Sequence, residues 1–185
     1  MKPLIALLFL IGGLLHPATL QAAEGPLDHA SLKTMIEGLG YEPQEGKFND
    51  TQAQYYRIRI PGSPWNYDIT IYIDASKNIV SINSEFALYK GAADLIPQSV
   101  LLGLLSDNAN LTFTQFRYLQ SSNSFFLLSN LRNKDVSAAD LRRVIDEIVS
   151  AANRTQKLWD PKQWPQASTA EAAKPEPQAT GDAKK

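Results

Sequence analysis

Leu32, Met35, Ile36 and Leu39 recur at spacings of three and four, so they share one face of a short helix. Asp28 stands where an N-cap is wanted, Leu27 and Leu32 are placed as a hydrophobic staple, and Gly40 follows where a left-handed residue ends a helix. From Tyr56 the period changes to two. Tyr56, Ile58 and Ile60 alternate with Arg57 and Arg59, as in a half-buried strand. Pro61, Gly62, Ser63 and Pro64 interrupt it, and Ile69, Ile71 and Ile73 then alternate with polar positions up to turn chemistry at residues 74–78. Val80, Ile82 and Phe86 carry the alternation into a third strand. Short connections between these strands predict an antiparallel meander with one wet face. A second helix is predicted to start near Pro97, a residue suited to the first helical position, and to end around residues 106–110. Two more strands follow, near residues 111–119 and 124–131. Phe113, Phe116 and Tyr118 break strict alternation there, and a bulge or short loop near Thr114 restores the phase. Ser137 and Asp140 form a near capping box, with Asp where Glu is usual, stapled by Val136 and Leu141. Leu141, Val144, Ile145, Ile148, Val149, Ala152 and Trp159 then line one side of a last helix of more than about five turns. The predicted class is α+β in the order α-βββ-α-ββ-α, an antiparallel sheet with helices packed on one face.

The two ends read differently from this core. Lys2 precedes an apolar run over residues 4–15, and small residues follow at Ala22 and Ala23. These are the three parts of a secretory signal peptide, here residues 1–22 with cleavage after Ala22 or Ala23. The run is shorter than the roughly 20 residues that cross a bilayer. The expectation is a protein exported to the periplasm or beyond, with no stable membrane insertion after cleavage. Residues 160–185 lose the apolar periodicity and are mostly Ala, Pro, Glu, Gln, Lys and Thr, so they read as a disordered tail. One domain over residues 27–159 remains.

Composition narrows the chemistry. The chain has no cysteine, which excludes a lipidated cysteine, disulfides and thiolate metal sites. With 18 basic and 19 acidic residues it lacks the broad positive field of a nucleic-acid binder. His29 sits beside Asp28 and near Ser31, but residues one and two apart on a helix do not face each other, so no catalytic relay forms. There is no nucleophile elbow and no phosphate loop. Asp68, Asp74 and Glu85 are the carboxylates on which a small hydrolase would have to draw. Asp68 and Asp74 stand about 20 Å apart along one strand, which favours solvent-facing carboxylates. Neither a cofactor nor a metal is expected.

The opening helix with its Leu39-Gly40-Tyr41 ending, an aromatic strand start within residues 110–118 and the closing helix from Asp140 to Trp159 together resemble the YbjN-like family of bacterial proteins. The resemblance spans nearly the whole mature domain and implies a fold similar to that of type III secretion chaperones. It implies a chaperone-like or sensory-transduction regulatory role, and no shared active site. Those chaperones are cytoplasmic, whereas this chain begins with an export signal.

Partner-binding candidates follow from two places. Trp65 and Tyr67 lie on the turn after the first predicted strand, either as aromatic anchors for a partner or folded back over the core. In the second helix, Pro97, Val100, Leu101 and Leu104 suffice to seat it on the sheet, and Leu102 and Leu105 widen the apolar arc beyond that need. Those two leucines fill either a groove against the last helix or an interface with a second copy or a peptide. The function expected is a non-catalytic protein- or peptide-binding module, chaperone-like or regulatory. A small periplasmic hydrolase is the alternative.

Overall fold

The computed structural model describes residues 25–63, 65–88, 96–134 and 136–164. The expected signal peptide and residues 165–185 of the expected tail lie outside them. The chain order is α1 (His29–Gly38), β1 (Gln44–Lys47), β2 (Gln54–Ile60), β3 (Tyr67–Ile73), β4 (Ile79–Leu88), α2 (Gln98–Asp107), β5 (Gln115–Leu119), β6 (Ser124–Arg132), α3 (Ala138–Arg154) and α4 (Gln156–Trp159). The strands form one antiparallel sheet in the order β1-β2-β3-β4-β6-β5. The class is α+β, with one strand more than the five predicted. Strand β1, Gln-Glu-Gly-Lys, sits at the sheet edge with its side chains exposed or half-buried, so it carries no apolar alternation to read.

The alternation assigns the faces. Tyr56, Ile58, Tyr67, Ile69, Ile71, Val80, Ile82, Phe125 and Leu127 point into one buried layer. Against it pack Leu32 and Ile36 of α1, Val100 and Leu104 of α2, and Leu141, Val144, Ile145 and Ile148 of α3. The opposite face carries Tyr55, Arg57, Arg59, Asp68, Thr70 and Tyr72, none of them buried.

The helix ends follow the sequence. Asp28 caps α1 by accepting from the Ser31 N–H at 2.8 Å, and Gly40 takes φ +84°. Ser137 and Asp140 make the reciprocal capping box of α3. The last helix is shorter than predicted. Thr155 donates its hydroxyl to the Ala151 carbonyl at 2.7 Å and leaves helical geometry, so Trp159 belongs to the separate turn α4. The folded region also runs beyond the expected boundary at Trp159. A 3₁₀ turn at Pro161–Gln163 leads to Trp164, which is buried, sets its ring edge-on to Phe125 and donates its indole N–H to the Leu158 carbonyl at 2.7 Å.

Strand β5 starts at Gln115, four residues later than predicted. Residues 111–114 form a loop held to α3 by Glu147, which resolves the broken phase of Phe113, Phe116 and Tyr118. The irregularity in the sheet lies instead in β4, between Glu85 and Ala87. At the far end, buried Asn133 accepts from the Leu27 N–H and donates to the carbonyls of Leu27 and Lys77, all within 2.8–2.9 Å. This clamp fixes where the chain joins α1.

Candidate partner-binding surface

Helix α2 is seated by fewer residues than its sequence offers. Val100 and Leu104 are buried, and Gly103 lies where an added Cβ would meet the Leu158 side chain at 3.0 Å. Helix α2 therefore packs closely on α4, with no space for leucines between them. Leu102 and Leu105 do not fill a groove against the last helix, the other reading, because both are more than half exposed. At about 100° per residue, the remaining leucines fan across the outer side of the helix. Leu101 is 36% exposed, Leu102 54% and Leu105 66%. Leu101, expected in the buried stripe, lies outside it, because Gly103 rather than Leu101 takes the place beside α4.

Leu101 and Leu105 overhang an apolar hollow of about 180 Å³ between α2 and β5, whose floor and far wall include Leu104, Phe116, Tyr118 and Phe125. Arg117 is the one charged residue in its lining. The nearby acid of α2, Asp107, is engaged by the Arg154 guanidinium at 2.7 and 3.2 Å, and that hydrogen bonding holds its carboxyl below the usual range. The hollow is therefore apolar, open to solvent and nearly free of charge. A wider depression of about 420 Å³, lined by Gly40, Tyr41, Glu42, Gln44, Arg59, Ile60 and Pro61, is mixed in polarity. Its guanidinium, Arg59, is already matched by the two oxygens of Asp68 at 2.7 and 2.9 Å.

The aromatic pair is not part of this surface. Tyr67 is 2% exposed, and its hydroxyl donates to the Asn153 side-chain oxygen. Trp65 is half-buried, with its ring 5.7 Å from that of Trp159 and its indole N–H shielded from solvent. Both turn inward from the loop because β3 already begins at Tyr67, whose position in the alternation is a core position. Of the two readings offered, the one folded back over the core holds, with Tyr67 inside the core and Trp65 packed against its edge, and neither is a partner anchor. The sequence reading missed Phe116, Tyr118 and Phe125 as lining. Their alternation marks the helix-facing side of β5 and β6, but only the pairing of the edge strand places them around the hollow beside α2, where Phe116 and Phe125 are buried and Tyr118 partly so.

The carboxylates do not assemble a reactive site. The hydrogen bond from Arg59, with its charge, keeps Asp68 below the usual carboxylate range. Asp74 is lowered by the Ser76 hydroxyl and by backbone N–H groups, chiefly that of Ile79, in the β3–β4 turn. Glu85 accepts from Ser124. A general acid needs a raised pKa, and the two aspartates are moved the other way. Asp28 is spent on capping, so the apparent triad with His29 and Ser31 is a helix start. Among the described residues no group of three His, Asp or Glu side chains is placed to hold a metal, and no helix is long and apolar enough to cross a membrane.

No protein-family profile matches the chain, and no curated protein matches it in sequence. Solved structures do match. An uncharacterized protein from Methanothermobacter thermautotrophicus aligns over 75% of this chain and 100% of its own, with 12% identity and a TM-score of 0.53. A chain of the heterodimeric ExoU–SpcU complex from the type III secretion system of Pseudomonas aeruginosa aligns over 70% of this chain and 98% of its own, at 16% identity and a TM-score of 0.48. YbjN from E. coli aligns over 70% of this chain and 94% of its own, at 16% identity and a TM-score of 0.44. The match to the Methanothermobacter protein, at a TM-score above 0.5, shows a similar fold.

Proposed function

We propose that this chain is an exported, non-catalytic module that binds a protein or peptide partner through the outer side of α2. The observation that carries the reading is the fan of Leu101, Leu102 and Leu105 over a hollow that includes Phe116, Tyr118 and Phe125. Apolar side chains scattered singly on a surface need no explanation, but a contiguous apolar patch beside a concavity marks an interaction site. The shape suits an inserted apolar side chain from a partner, the usual form of an energetic anchor. The engaged state of Asp68, Asp74 and Glu85 supports the non-catalytic part.

Leu102→Glu combined with Leu105→Lys tests this reading. Both replacements are good helix formers, and Lys near the C-terminus of α2 suits the helix dipole. Because both positions are more than half exposed, the fold should keep its stability within about 0.5 kcal/mol. Partners captured from the periplasm by the mature chain should then fail to bind the variant, with circular dichroism unchanged. Binding of the purified partner should be weakened at least ~10-fold, the scale of truncating an anchor. Equal binding by chain and variant, or no partner for either, would remove α2 from the proposal. Light scattering on the same pair identifies a second copy as the partner if the parent is a dimer and the variant a monomer.

A further inference from the structure

We infer that the basic hollow between the β3–β4 turn and the end of β6, lined by Lys77, Arg132 and Lys134, binds a phosphoryl group. The site is separate from α2 and does not depend on the partner reading.

The fold assembles the three cations from two distant stretches of chain. Ile79 pairs with Arg132 in the β4–β6 ladder. One step further, the Asn133 N–H donates to the Asn78 carbonyl at 2.7 Å, and the Asn133 side-chain amide donates to the Lys77 carbonyl at 2.8 Å. The ladder thus carries Lys77 to the end of β6, where Lys134 follows Asn133. The same buried Asn133 clamps Leu27 and so sets Pro26 as a further wall. The result is a hollow of about 240 Å³, open to solvent, with a hydrogen-bonded backbone frame and three exposed cationic side chains.

Like charges gathered this closely repel unless an anion sits between them. Among the described residues no acid lines the hollow. Asp74, the acid of the same turn, accepts instead from the Ser76 hydroxyl and from the N–H groups of Asn78 and Ile79. Ion pairs among the described residues use Lys33, Arg59, Arg143 and Arg154, and none uses Lys77, Arg132 or Lys134. The cluster is local, because the whole chain has 18 basic against 19 acidic residues. Lys77 also takes φ +59°, a left-handed conformation that glycine or asparagine reaches at lower cost. A lysine kept in such a conformation points to a use for its side chain.

Three cations without an acid select the ligand. A phosphoryl group brings three acceptor oxygens and about 1.5–2 negative charges at pH 7. A carboxylate brings one charge and two oxygens, which leaves one of the three cations unmatched. The planar fork of Arg132 can grip two phosphate oxygens side by side, and the two lysines add mobile point charges. A phosphomonoester lipid headgroup and a small soluble phosphate share this chemistry.

The test titrates inorganic phosphate into the full 185-residue chain at fixed ionic strength and reads backbone amide NMR shifts. The amides of residues 77–79 and 132–134 should move together and saturate in the millimolar range. Acetate at the same ionic strength should move them several-fold more weakly. In the triple variant Lys77→Gly, Arg132→Gln, Lys134→Gln, phosphate affinity should fall by about tenfold or more, the scale of losing one hydrogen bond to a charged group. All three positions are exposed and glycine suits the backbone at 77, so without phosphate the variant should melt close to the parent. Shifts that spread over the surface, fail to saturate, persist in the triple variant or match those with acetate overturn the inference. Phosphatidylcholine vesicles with and without phosphatidic acid then separate the sources. The headgroup is the source if phosphatidic acid adds binding that the triple variant lacks and that inorganic phosphate competes away. A small soluble phosphate is the source if phosphatidic acid adds no binding that depends on the three cations.

Discussion

Glu147 is the side chain on which the sheet edge next to the leucine face depends. Its two oxygens accept from the N–H groups of Thr112, Phe113 and Thr114 and from the Thr114 hydroxyl, all at 2.7–2.9 Å. Partial burial would push its pKa up, but these hydrogen bonds outweigh burial and hold the carboxyl below its ordinary value. A carboxylate with a depressed folded-state pKa stabilises the fold above the unfolded value, about 4.3 for Glu, and loses that contribution as pH falls through the folded value. Glu147→Gln keeps the shape, but its amide nitrogen meets donors where an acceptor is needed. The variant should lose about 1–3 kcal/mol at pH 7. Urea unfolding at pH 7 and pH 3 should show the gap narrowing at the lower pH, and a gap that does not change with pH would deny the carboxylate its role. Nothing in the sequence pairs Glu147 with residues 112–114, because 33 to 35 residues separate the partners. Asp28, Gly40 and the pair Ser137 and Asp140 were legible because their partners lie within a turn. Tyr67 was legible in period but misread in role, since a turn residue one step before a strand and the first residue of that strand look alike until the register is known.

Among the elements, periodicity found the helices and five strands, although the last helix ends earlier than read and β5 starts later, and the one element without it was missed. Strand β1 is polar throughout, and only its ladder to residues 54–57 of β2 makes it a strand. Helix α2 shows why an apolar surplus in sequence is ambiguous. Five apolar residues within positions 100–105 say that something beyond one sheet must be met, but not where. The answer depends on Gly103, whose missing side chain lets α4 approach and turns Leu101, Leu102 and Leu105 outward. The turn after α4 adds a result that periodicity does not reach. A lone tryptophan, Trp164, closes the core after the helical pattern has ended. A chain ending at residue 164 should therefore unfold within a degree or two of the full mature protein, because residues 165–185 carry no large apolar group. A chain ending at residue 159 removes the Trp164 ring from Phe125 and its bond to Leu158, and should lose about 3 kcal/mol, or roughly 10 °C in thermal unfolding. Equal melting of the two truncations would show that Trp164 contributes nothing to the core.

At the scale of the whole molecule, the binding proposal depends on where the protein spends its life. A face bearing three exposed leucines is a liability in a crowded compartment unless it is occupied or hidden. The export proposal puts that face in the periplasm or beyond, where a partner would occupy it. The three-part start ending at Ala22 and Ala23 is the sequence basis for the export proposal. The fold begins only a few residues after the cleavage positions, so cutting there leaves the clamp and α1 intact. Cleavage there would remove Lys2, the only charged residue before Glu24, and make the formal charge one unit more negative than −1. N-terminal sequencing of protein from the periplasmic fraction should accordingly begin at Ala23 or Glu24, and the processed chain should melt at the same temperature as the unprocessed one or higher. Recovery of an intact N-terminus from the cytosol would withdraw the export reading. The leucine face would then have to be explained by a partner met in the cytoplasm.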